Sequence, residues 1–125
     1  MSIKLDVSSG ESVGEAMKQM LEKYKTCPDA VVNSAGITLD GYLLKMTDNR
    51  FDKVIDVNLK GTYRINKAAA SAMKAAKLEY GSIVNISSIV GKSNLSNAII
   101  NTLKVNRINT TCFKKSFNSK FLLKL

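Results

Sequence analysis

Apolar residues recur in the first ninety positions at two alternating spacings. Ile3 to Val7 is a short β-favouring stretch. Val13, Ala16, Met17, Met20, Leu21 and Tyr24 then fall at helical period, after two capping-box spacings, Ser8-x-x-Glu11 and Ser12-x-x-Glu15. The pattern predicts a strand, a cap at Ser8 and a helix ending near Lys25, which Pro28 closes. Ala30-Val31-Val32-Asn33 is a short, nearly all-apolar run of the kind buried in parallel sheets, and the small residues Ser34-Ala35-Gly36 follow it. After a loop, Thr47 is a good N-cap for a long helix that runs to Lys77. On it Phe51, Val54, Ile55, Leu59, Thr62 and Tyr63 are expected near one face. Gly61 and its β-branched neighbours predict an irregularity near Asn58. Glu79-Tyr80-Gly81 is the turn into a strand from Ser82 to Ile86.

Strand, helix, strand, long helix, strand is the order of βαβ units around a parallel sheet, so the fold class is α/β. Beyond Lys92 the periodicity decays into scattered Asn, Lys, Ser, Ile and Leu, with one short helix expected around residues 98–105. The chain therefore divides into an α/β domain over 1–92 and a tail over 93–125 expected to be disordered.

Charge sharpens that boundary. The chain has 125 residues and a net charge of +9, but the last acidic residue is Glu79, and Tyr80 to Leu125 holds 7 basic residues and none acidic. Such a tail could draw nucleic acid electrostatically, yet no stacking aromatics or binding motif sit among its charges, and a solvated end is the plainer expectation. Cys27 and Cys112 stand far apart, which suggests neither a disulfide framework nor a metal or redox pair. The sequence holds no histidine. His-based acid/base chemistry and His metal ligation are thereby excluded. No run is long and apolar enough to span a membrane as a helix, and the N-terminus carries neither a signal-peptide nor a transit-peptide pattern.

Three motifs in order carry chemistry: Asn33-Ser34-Ala35-Gly36, then Asp56-Val57-Asn58-Leu59-Lys60-Gly61-Thr62, then Asn85-Ile86-Ser87-Ser88-Ile89-Val90-Gly91-Lys92. Together they resemble the middle of a short-chain dehydrogenase/reductase. The nearest likeness is to the 3-oxoacyl-[acyl-carrier-protein] reductases and the 17β-hydroxysteroid dehydrogenase type 8 branch, over about residues 3–92. The resemblance implies a Rossmann-type doubly wound sheet, of which family strands 3, 4 and 5 are kept, and an NAD or NADP cofactor. It implies that Asp6 and Val7 contact the adenine ring and that Asn33, Ala35 and Gly36 stabilise the central strand and line the cofactor's nicotinamide side. Asn58 matches the asparagine that holds a water in the proton relay. Ser88, rather than Ser87, matches the serine that hydrogen-bonds the substrate carbonyl.

The family's proton donor is a Tyr-x-x-x-Lys pair a dozen or so residues after that serine. No tyrosine follows Tyr80 in this chain, and the expected window reads Ile99-Ile100-Asn101-Thr102-Leu103. Tyr63-x-x-x-Lys67 has the spacing but precedes Ser88, and reads as a chance match on a helix face. The Gly-rich turn for the cofactor pyrophosphate would lie before residue 1. The expectation is an incomplete oxidoreductase, catalytically incompetent as this chain. Two alternatives are weighed: a non-enzymatic protein joining full-length subunits through the 47–77 helix, and a nucleic-acid binder acting through the basic tail. Family resemblance implies the mitochondrial matrix, and translation from Met1 as given implies the cytoplasm.

Overall fold

The computed structural model describes residues 1–39, 41–87, 111–112 and 122–124. The first helix, α1, spans Gly10–Tyr24. Its N-cap is Ser9, whose hydroxyl accepts the Ser12 N–H at 3.2 Å. Ser8, the expected cap, is instead drawn back to Asp6: its N–H and hydroxyl both donate to the Asp6 carboxylate, at 2.9 and 2.7 Å. The Ser12 hydroxyl accepts the Asp6 N–H at 2.9 Å. Lys25 ends the helix in a left-handed conformation, with φ 56°.

These bonds also explain why Ile3–Val7 is not a strand. A strand requires a ladder neighbour for its backbone groups. Here the Asp6 N–H goes to Ser12, its carbonyl accepts the Ser9 N–H at 3.1 Å, and the Val7 carbonyl accepts from Arg64 at 3.4 Å. The segment docks as a cover on the core, with Val7 buried and Leu5 packed against it.

β1 (Ala30–Asn33) and β2 (Ser82–Asn85) form the centre of the sheet, parallel and in register from Ala30 opposite Ser82 to Asn33 opposite Asn85. The ladder is extended by the Ser82 N–H to the Asp29 carbonyl and the Ile86 N–H to the Asn33 carbonyl, both at 2.8 Å. Parallel neighbours require a crossover, and the long helical segment supplies it. That segment begins at Thr47, the expected cap, and runs as α2 (Asp48–Ile55), a π-helical turn (Asp56–Gly61) and α3 (Thr62–Ala75). A 3-10 turn over Leu43–Lys45 precedes it.

The π turn is the irregularity expected near Asn58. The expected helix face is corrected: Val54, Gly61, Ile65, Ala69 and Met73 are the buried positions, whereas Phe51, Leu59 and Tyr63 are exposed. At about 100° per residue Ile65 lies roughly 20° from Val54, but Leu59 and Tyr63 lie roughly 140° and 180° from it.

The core joins Val7, Val13, Val31, Ile65, Ala69 and Met73, with Ile83 and Val57 partly buried against it. It lies between α1, α3 and the Val31 face of the sheet. Two short strands complete the order β3-β2-β1-β4. β3 (Thr111–Cys112) runs antiparallel to β2, and β4 (Leu122–Lys124) parallel to β1. Five residues of the tail lie in these two strands. The helix expected around 98–105 lies outside the described residues.

Candidate active site

The carboxyl ends of β1 and β2 face the π turn, and a shallow pocket opens between them. It is lined by Ala35, Asn58, Leu59, Thr62, Asn85, Ile86 and Ser87. In open parallel sheets this end of the strands is where ligands bind.

The floor beneath the pocket is held by three asparagines. The Asn33 side-chain amide donates to the Asn66 and Asn85 side-chain oxygens, both at 2.7 Å. One buried NH₂ thus ties β1 to α3 and to β2. Asn33 is only 5 % exposed, so these partners are required rather than incidental. This assigns Asn33 a role in holding the strands, with its amide directed into the protein.

Asn58 clamps a loop. Its amide donates to the Ile37 carbonyl at 2.9 Å and its side-chain oxygen accepts the Ile37 N–H at 2.8 Å. A side-chain amide satisfied at both ends mimics a strand neighbour and fixes the chain just after Gly36. Within the π turn the Asn58 carbonyl accepts the Thr62 hydroxyl at 2.9 Å. Such local departures from α geometry are frequent at functional sites.

Gly61 closes the same turn. A Cβ there would lie 2.7 Å from Val7 Cγ2 and 3.0 Å from Val7 Cβ, so glycine leaves the room that the Val7 side chain fills. Arg64 fastens this contact: its guanidinium donates to the Val7 and Asp56 carbonyls at 3.4 and 3.3 Å and pairs with the Asp56 carboxylate at 3.4 Å. Lys60 reaches the same carboxylate at 3.2 Å. Lys60 first, then Arg64, holds the Asp56 carboxyl below its ordinary value. The Ser8 bonds do the same for Asp6.

The remaining expected site residues are placed as follows. Ala35 lines the pocket and Gly36 is exposed at its edge. Asp6 is exposed, and Val7 is 8 % exposed beneath Gly61. Ser88 lies outside the described residues; Ser87, its neighbour, reaches the pocket wall. Tyr63 is 60 % exposed, and the Lys67 ammonium stands over its ring at 5.9 Å, a helix-face contact of one turn. Among the described residues no cluster of ligands could hold a metal ion.

Sequence reading did not single out Asn66 or Arg64. Asn66 left a trace: asparagine is poor in a helix interior unless its side chain has a partner.

The model of the short-chain dehydrogenase family matches residues 1–100. The chain belongs to that family. It is 49 % identical over 85 residues to (3R)-3-hydroxyacyl-CoA dehydrogenase of Rattus norvegicus, an overlap of 65 % of this chain and 32 % of the relative. It is 41 % identical over 87 residues to 3-oxoacyl-[acyl-carrier-protein] reductase FabG of Pseudomonas aeruginosa, covering 70 % of this chain and 34 % of that one. Among solved structures, ElxO with NADP bound superposes with a TM-score of 0.70 at 39 % identity, over 78 % of this chain and 38 % of ElxO. The chain spans about a third of the length of the curated relatives it matches. The small parallel sheet is thus a partial Rossmann-type short-chain dehydrogenase fold, as the order of its elements implied.

Proposed function

We propose that this chain carries the carbonyl side of an NAD(P)-dependent oxidoreductase site for 3-oxoacyl or 3-hydroxyacyl thioesters, and that the 125-residue polypeptide alone does not turn over. The observation that supports the site most is the π turn, which brings Asn58 to the pocket at the ends of β1 and β2 while its side chain is spent on Ile37. Its contribution is therefore positional. It fixes the loop after Gly36 and presents a backbone carbonyl with a second lone pair beside the pocket.

Ala35 and Gly36 are small enough to admit a flat ring at the strand end, which fits NAD or NADP on that side. When bound, that cofactor supplies or accepts the hydride. The chain's own part is to orient the carbonyl, with the Ser88 hydroxyl as donor to its oxygen, and to hold a proton-relay water near the Asn58 carbonyl. No tyrosine after Tyr80 is present to deliver the proton, which supports an inactive chain.

A chimera tests the site apart from the missing donor. Residues 3–92 of this chain would replace the matching segment of the rat (3R)-3-hydroxyacyl-CoA dehydrogenase. The chimera should oxidise 3-hydroxyacyl-CoA, and Ser88→Ala within it should lower kcat about 100-fold. A folded chimera without activity overturns the reading.

A second reading is favoured by the exposed Phe51, Leu59 and Tyr63 on the crossover helix. It makes the chain a non-enzymatic partner that joins full-length family subunits. Co-elution with such a subunit in size-exclusion chromatography supports it, and separate elution rejects it.

A further inference from the structure

The edge of β1 away from β2 is closed from within the chain. β4 lies parallel to β1 there, with Leu122 opposite Ala30, Leu123 opposite Val31 and Lys124 opposite Val32. The backbone parity of β1 tells which groups this closure serves. The Asp29 and Asn33 carbonyls accept from the β2 side. Successive residues of a strand point their N–H and C=O to opposite edges, so Asp29, Val31 and Asn33 face β2, and Ala30 and Val32 face β4. In this register the Leu123 N–H faces the Ala30 carbonyl.

We propose that Leu122–Lys124 is an intramolecular edge strand, which satisfies the outer backbone groups of β1 and denies that edge to a second copy of the chain. Without it Ala30 and Val32 would present unpaired donors and acceptors on the flank of a short apolar strand, a template for edge-to-edge pairing.

Hydrogen exchange on the full ¹⁵N-labelled chain tests this by NMR. In the unaltered chain Ala30 and Val32 should be protected together with Val31 and Asn33, and cross-strand NOEs should connect β1 to Leu123. Leu123→Pro removes one ladder donor. It should speed exchange at Ala30 and Val32 by about tenfold, with Val31 and Asn33 unchanged. If the variant loses protection throughout while the unaltered chain shows the NOEs, edge closure is a condition of folding and the proposal stands in its stronger form. Fast exchange at Ala30 and Val32 in the unaltered chain without those NOEs, or unchanged exchange in the variant, overturns it.

Discussion

Asn33 shows how one side chain serves both stability and site. Its amide links the Asn66 and Asn85 side-chain oxygens. Asn33→Ala strands two acceptors near the core and should destabilise by about 2 kcal/mol in urea unfolding; Asn66→Ala, which leaves the Asn33–Asn85 bond, should cost about half that. The carboxylates give a pH signature. Asp6 and Asp56 are both held below the ordinary value, so each stabilises the fold above the unfolded value of about 3.9, and that contribution is lost as pH falls through the lower folded value. Urea midpoints should therefore drop below about pH 4, and Asp56→Asn should lessen the drop. Cys27 is buried and its thiol is pushed up by desolvation, so a disulfide reagent at pH 8 should label it only as fast as the chain opens. Of these residues, Asn33, Asn58 and Ala35 were legible as a motif. Asn66 and Arg64 were not, because each acts on a group brought near only by folding.

At the scale of elements, the crossover helix carries the site because it is irregular. At about 100° per residue Leu59 and Tyr63 lie roughly 140° and 180° from the buried Val54, so the face that grouped them with it was too wide, and both are exposed. The irregularity at the π turn was itself legible from Gly61. Gly61→Ala forces a methyl against Val7 and should destabilise by about 2 kcal/mol, with exchange broadening at Asn58 and Ile37 if the clamp loosens. The end of α3 offers the opposite change. Lys77 is left-handed, with φ 51°, and Leu78 N–H returns to the Met73 carbonyl at 3.1 Å, a Schellman ending that glycine suits better. Lys77→Gly should raise stability by about 0.5–1 kcal/mol, read from the urea midpoint. α1 was legible to within a residue or two at each end. Its cap moved from Ser8 to Ser9 because the Asp6 carboxylate competes for the Ser8 donors.

For the whole molecule, the α/β order and the two central strands followed from apolar runs whose length and boundaries match their burial. The Ile3–Val7 strand did not form, since a strand depends on a partner that local sequence does not name. The closure of the β1 edge by Leu122–Lys124 was illegible for the same reason: the tail has no period, and its pairing is set by which edge stands open. The match to the short-chain dehydrogenase model and the partial Rossmann-type sheet make the lineage of the chain plain. The central claim is that this polypeptide holds a positioned but incomplete site. It is tested most directly by following NADPH and NADH absorbance with acetoacetyl-CoA and the purified 125-residue chain. The account predicts no consumption above the protein-free rate, for the unaltered chain and for Ser88→Ala alike; steady turnover that Ser88→Ala abolishes would contradict it.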